Sequence, residues 1–176
     1  VAGKLKKFVE RGGELVATYF TGYVDENLLC YLGGFPGDGL TDLFGVISEE
    51  IDSLYPTDRN AVVFPDGKQW EVKDFAEILR VKDAKVLGVY GSDFYEGTPA
   101  VTCKEYGKGK AYYVAARCEG KHMVPLFEQM MADAQIPVRR LPQGVECHVR
   151  SGEEGTYAFY LNAREEETKV PGVQGL

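Results

Sequence analysis

The chain has 176 residues, 44% of them hydrophobic and 27% charged, and a formal net charge of −7 from 20 Lys plus Arg against 27 Asp plus Glu. This is enough for one domain, or one domain and part of another, and too apolar for a disordered chain. The acidity argues against nucleic acid and against an anionic membrane as the main partner, since both select basic surfaces.

No apolar run approaches the ~18–20 residues of a membrane-spanning helix. The opening VAGKLKKFVERGG is an amphipathic helix without the apolar stretch of a signal peptide, and its lack of Met reads as a start inside a longer protein. The cysteines Cys30, Cys103, Cys118 and Cys147 are widely spaced and form no CxxC pair. Disulfide frameworks belong to smaller, cysteine-dense secreted chains, so reduced thiols in a cytoplasmic protein are expected.

Residues 3 to 11 place Leu5, Phe8 and Val9 on one helical face, and Gly12-Gly13 stop the helix. ELVATYF follows as an almost uniformly apolar strand, the pattern of a strand covered on both faces. Residues 21 to 39 form a long loop carrying Gly22, Gly33, Gly34, Gly37 and Gly39. From Leu40 to Leu54 the pattern fits a helix or a strand equally, and Tyr55-Pro56 ends it. NAVVF (60 to 64), the turn Pro65-Asp66-Gly67 and a return over 68 to 72 with Trp70 inward suggest an antiparallel pair. Asp74 is expected to cap a short helical turn through Phe75 to Leu79.

KVLGVYG (85 to 91) is a second buried strand. Residues 100 to 117 read as a β-hairpin around Gly107-Lys108-Gly109-Lys110. Met123 to Ala134 is a helix with Leu126, Phe127, Met130 and Met131 on its apolar side. Residues 136 to 144 change composition and read as a linker. Beyond them come two alternating strands around Gly152–Gly155 and the start of a third.

Several patterns suggest chemistry and lack its requirements. Gly107-Lys108-Gly109 sits between two strands, whereas a dinucleotide fingerprint opens a helix. Gly33-Gly34-Phe35-Pro36-Gly37-Asp38-Gly39 lacks the Gly-Lys-Ser/Thr ending of a phosphate loop. Cys118/His122 and Cys147/His148 are half-pairs, short of a four-ligand zinc site and without a third group to orient a nucleophile. Among carboxylates, Asp25/Glu26 and Glu49/Glu50/Asp52 are the candidates for glycosidic chemistry. That chemistry needs two groups facing each other across a bond, and sequence neighbours do not establish it. Glu153-Glu154 and Glu165-Glu166-Glu167 read as solvated loop charges. No cofactor or metal site is expected.

LKKFVERGGELVATYFTGYVDENLLCYLGGFPG resembles the central domain of glycoside hydrolase family 42 β-galactosidases, in which a helix, a double glycine, a strand and a "VDEN…GGFPG" loop recur. LTDLFGVISEEIDSLYP, GKGKAYYVAAR and GVECHVRSGEEGTYAFYLN extend the resemblance in order over nearly the whole chain. The resemblance implies a catalytic (β/α)8 barrel, a trimerisation domain and a small β-sandwich. The family's catalytic glutamates lie on the barrel, of which this chain contains no segment, and the first αβ units of the central domain are expected to be missing too. It thus implies a non-catalytic assembly fragment, with residues 1–135 as trimerisation-like domain, 136–144 as linker and 145–176 opening a β-domain. Its partners would be other copies of the chain, as a homotrimer, and the parent's catalytic barrel.

The expected fold is α/β: a mainly parallel sheet of flavodoxin or class I amidotransferase type, with residues 14 to 20 and 85 to 90 as central strands. Helices 3 to 11 and 122 to 134 would flank it, and a few antiparallel strands of a small β-domain would follow. Tyr23, Asp25, Glu26, Asn27, Tyr31 and Phe35 are the candidate interface residues, because a long loop rich in apolar side chains suits an interaction site. The alternatives are a free-standing small-molecule-binding or regulatory α/β module, and a cysteine hydrolase.

Overall fold

The computed structural model describes residues 1–170, and the chain divides into two compact units, the first spanning 1–135 and the second beginning at Ile136. The first opens with α1 (Ala2–Glu10) and β1 (Glu14–Thr18). The turn between them needs glycine. Gly12 takes φ 109°, and a Cβ on Gly13 would stand 2.5 Å from the ring of Phe8. The chain continues through α2 (Leu40–Phe44), β2 (Val46–Ser53), β3 (Asn60–Val63), β4 (Gln69–Val81), β5 (Lys85–Tyr90), β6 (Pro99–Tyr106), β7 (Gly109–Val114), β8 (Ala116–Cys118) and α3 (Gly120–Asp133).

The eight strands form one sheet in the order β1-β7-β6-β5-β3-β4-β2, with β8 paired to β4. The sheet is mixed and mostly antiparallel, which corrects the expectation of a mainly parallel one. Only β1 and β7 run parallel, from Glu14↔Lys110 to Thr18↔Val114; every other pair in the sheet is antiparallel. The connections dictate this. Parallel neighbours need a crossover of about a dozen residues or more, and no helix occurs between β2 and β8. β5 is interior as expected, whereas β1 ends the strand order rather than lying at its centre.

Uniform apolarity had a different cause from parallel pairing. The sheet has a core on each face, and a strand between two cores is apolar whatever its direction. On one face Val9, Ala17, Leu40, Leu43, Phe44, Val46, Leu79, Ala111 and Tyr113 pack together. On the other, Val62, Trp70, Val72, Tyr90, Val101, Tyr112, Val114, Leu126 and Met130 do, with Val16 packed against them.

The ambiguous stretch 40–54 resolves into both elements, with Gly45 at φ 66° between α2 and β2. The expected helical turn at 75–79 is instead the second half of β4. Asp74 takes φ 63°, and near it β4 changes partners, pairing β3 through Val72 and β2 from Phe75 onwards.

In the second unit, β9 (Val145–Gly152) and β10 (Gly155–Asn162) form an antiparallel hairpin from Val145↔Asn162 to Gly152↔Gly155. The amide of Ala163 closes its open end on the carbonyl of Gly144 at 2.9 Å. Residues 163–170 contain no third strand, contrary to expectation.

Phe44 is fully buried and meets the ring of Tyr113 edge-on at 5.4 Å. Phe44→Ala is expected to remove about 3–5 kcal/mol of stability. Urea unfolding would read this as a lower midpoint with an unchanged slope.

Candidate functional site

Residues 19–39 join β1 to α2 and form the longest stretch of the first unit outside regular elements. The root of this loop is tied to the sheet. Phe20 takes φ 64°, and its amide donates to Glu77 Oε1 at 2.7 Å. The hydroxyl of Tyr113 donates to Glu77 Oε2 at 2.8 Å. The hydroxyl of Tyr90 donates to the Glu77 carbonyl at 3.0 Å and to that of Ala115 at 3.2 Å. Glu77 is 0% exposed, and both donors to its carboxylate are neutral. Burial pushes its pKa up, and the two hydrogen bonds only partly oppose that.

Aromatic rings continue the anchor outward. Phe20 meets Phe75 at 5.2 Å and Tyr23 at 5.7 Å, and Tyr19 stacks on Phe75 at 6.0 Å. Tyr23 in turn meets Phe35 edge-on at 4.8 Å. Within the loop, Asp25 Oδ1 accepts the amides of Asn27 at 2.8 Å and Leu29 at 3.0 Å. The Asp25 amide donates to the Leu29 carbonyl at 2.9 Å. Val24 bridges Cys30, and Phe35 bridges Ser48 of β2. Gly37 is obligatory, since a Cβ there would lie 2.0 Å from the ring of Tyr31.

The six candidate residues therefore divide. Tyr23, Tyr31 and Phe35 are part-buried and line a recess of about 370 Å3 with Ile47, Ser48 and Arg80. Asp25 shapes the tip through its own backbone, and Glu26 and Asn27 are exposed there. Burial and the nearby Asp38, Glu26 and Asp25 raise the pKa of Tyr31, and a hydrogen bond to the Cys30 thiol raises that of Tyr23. Sequence reasoning missed Glu77, which was hidden in an expected helical turn, although a lone acid amid FAEIL is a signal. Leu28, Leu29 and Leu32, part of the apolar content that marks this loop in the sequence, are 80, 64 and 101% exposed and flank the aromatic residues.

Several of the other candidates for chemistry are structurally engaged. Glu49 forms an ion pair with Arg80, and Asp52 accepts the Tyr95 hydroxyl at 2.8 Å. Burial pushes the Cys118 thiol up to about 12, which keeps it protonated and a poor nucleophile at neutral pH. His148 approaches Glu146 at 3.1 Å. Gly107 lies in the tight turn between β6 and β7. Among the described residues no three His, Cys, Asp or Glu side chains cluster as a metal site.

Residues 1–137 match the family model described as the β-galactosidase trimerisation domain. Beta-galactosidase BglY of Alicyclobacillus acidocaldarius is 44% identical over 97% of this chain and 26% of its own length. Beta-galactosidase GanA of Bacillus subtilis is 42% identical over 95% and 25%. Among solved structures, the cold-adapted β-galactosidase of Rahnella sp. R3 superposes with TM-score 0.91 and 35% identity. It covers 99% of this chain and 27% of that one. The chain thus spans about a quarter of the length of the relatives it matches.

Replacing Glu77 separates its roles. Glu77→Leu leaves the Phe20 amide and Tyr113 hydroxyl without their acceptor, and is expected to cost about 1–3 kcal/mol. Glu77→Gln retains an acceptor and should cost less. A carboxyl whose folded pKa lies above 4.5 contributes stability that is fully present below 4.5 and is lost as pH rises through the folded value. The melting temperature of the wild type should therefore fall relative to that of Glu77→Gln as pH rises above 4.5, which parallel melts across pH would show.

Proposed function

The chain belongs to the β-galactosidase trimerisation-domain family, and from that premise we propose that it is the assembly module of an enzyme hydrolysing terminal β-D-galactosides. The observation that carries this reading is the family match over residues 1–137. The module itself holds no catalytic residue: its partners are other copies of the same chain, arranged as a homotrimer, and the catalytic barrel of the full-length protein. Residues 1–135 act as the assembly domain, and residues 145–176, of which 171–176 lie outside the described residues, open a further β-domain beyond a linker at 136–144. Four free cysteines fit the reducing cytoplasm as its compartment. No cofactor enters this function.

Tyr23, Asp25, Glu26, Asn27, Tyr31 and Phe35 form the interface loop, facing a neighbouring subunit or the barrel. A rigid loop with unpartnered apolar side chains supports that role. Its carboxylates shape the loop and take no part in hydrolysis.

Sedimentation of the full-length protein should give three times the chain mass. The 176-residue chain alone should release no nitrophenol from a nitrophenyl galactoside. A monomeric full-length enzyme, or turnover by the isolated chain that Glu26→Gln abolishes, would overturn the proposal.

A further inference from the structure

We propose that the 19–39 loops of successive copies meet one another close to the three-fold axis. Leu29 and Leu32 of one copy would enter the recess lined by Tyr23, Tyr31, Phe35 and Ile47 of the next. This inference rests on the assembly reading above and names the partner surface of the loop.

Three observations lead to it. The loop is held rigidly by its glycine turns, its Asp25 turn and its tie to Glu77, so its exposed leucines are fixed in place. Leu28, Leu29 and Leu32 are 64 to 101% exposed within five residues, while the aromatic side chains beside them are turned inward. The recess between this loop and β2, with the Glu49–Arg80 ion pair at its wall, holds about 370 Å3, room for two aliphatic side chains. Its wall also contains the Ser48 hydroxyl, which is buried without a hydrogen-bond partner.

Symmetry joins knob and recess. A three-fold contact is heterologous: one patch on each copy meets a different patch on the next. The separation of those two patches on one copy grows with their distance from the axis. Here they are neighbours on a single loop, so the contact lies near the axis and the three loops converge there. Convergence also brings the exposed Cys30 of each copy, which lines the recess, towards the Cys30 of the next.

Cys30 supplies the test, in the full-length protein. A short bis-maleimide should yield a covalent dimer on a denaturing gel, since each copy brings one such thiol, and Cys30→Ser should abolish it. Leu32→Asp, at a fully exposed position, should leave the melting of the domain unchanged and weaken assembly at least about tenfold, read as monomer on dilution. A wild type of trimeric mass that gives no Cys30-dependent link, or a Leu32→Asp variant that keeps its trimer on dilution, would overturn the loop-to-loop contact and leave the assembly reading standing. A monomeric wild type would overturn both.

Discussion

A carboxylate buried without a cation holds this domain's loop to its sheet. Glu77 lies in β4, fully enclosed, and its two oxygens take the amide of Phe20 and the hydroxyl of Tyr113. Burying a charge with only neutral donors is expensive, yet a leucine at the same place would leave both donors without an acceptor. The acid's distinctive use is geometric. Phe20 has left β1 in a left-handed conformation that bulky residues seldom adopt, and its amide would otherwise face the interior unpaired. Glu77 satisfies that amide from across the sheet, and so determines where the loop begins and in which direction it leaves.

From this root the loop is built outward in layers. The rings of Phe20, Phe75, Tyr19, Tyr23 and Phe35 form a continuous chain of contacts at 4.8 to 6.0 Å. Beyond them the Asp25 side chain closes a turn on Asn27 and Leu29. The apolar residues of the loop thus have two roles that composition cannot separate. Aromatic residues fill the loop's own interior, and leucines remain outside.

The difference between legible and illegible features has a physical pattern. The hairpin of β6 and β7 could be read because its turn and alternating strands are contiguous in sequence. The helices α1 and α3 could be read because one amphipathic stripe suffices. Strand direction could not. Apolar periodicity reports how many faces are covered, and here helices and loops cover both faces of a mostly antiparallel sheet. Asp74 misled for a related reason: an acid before an apolar run looks like a helix cap, whereas its positive φ marks the point where β4 exchanges partners. At the loop, the residue types and the glycines were evident, but Glu77 lies 57 positions from the amide it holds. Only the folded sheet brings them together.

The rigidity of the loop also bears on how an assembly module works. Ordering a free backbone costs about 1–2 kcal/mol per residue, so a loop of this length that ordered only on contact would consume much of the energy of association. In this chain the contacts that order the loop need no partner. The left-handed turns at Gly22, Gly33 and Gly34, the internal hydrogen bonds of Asp25 and the tether at Glu77 all act within one copy. The cost therefore falls on the stability of the single domain, where two cores on opposite faces of the sheet can offset it. The contact with a second copy then keeps the gain from its buried leucines. A costly buried acid and an exposed apolar knob become two parts of one arrangement: the first makes the loop rigid enough for the second to bind.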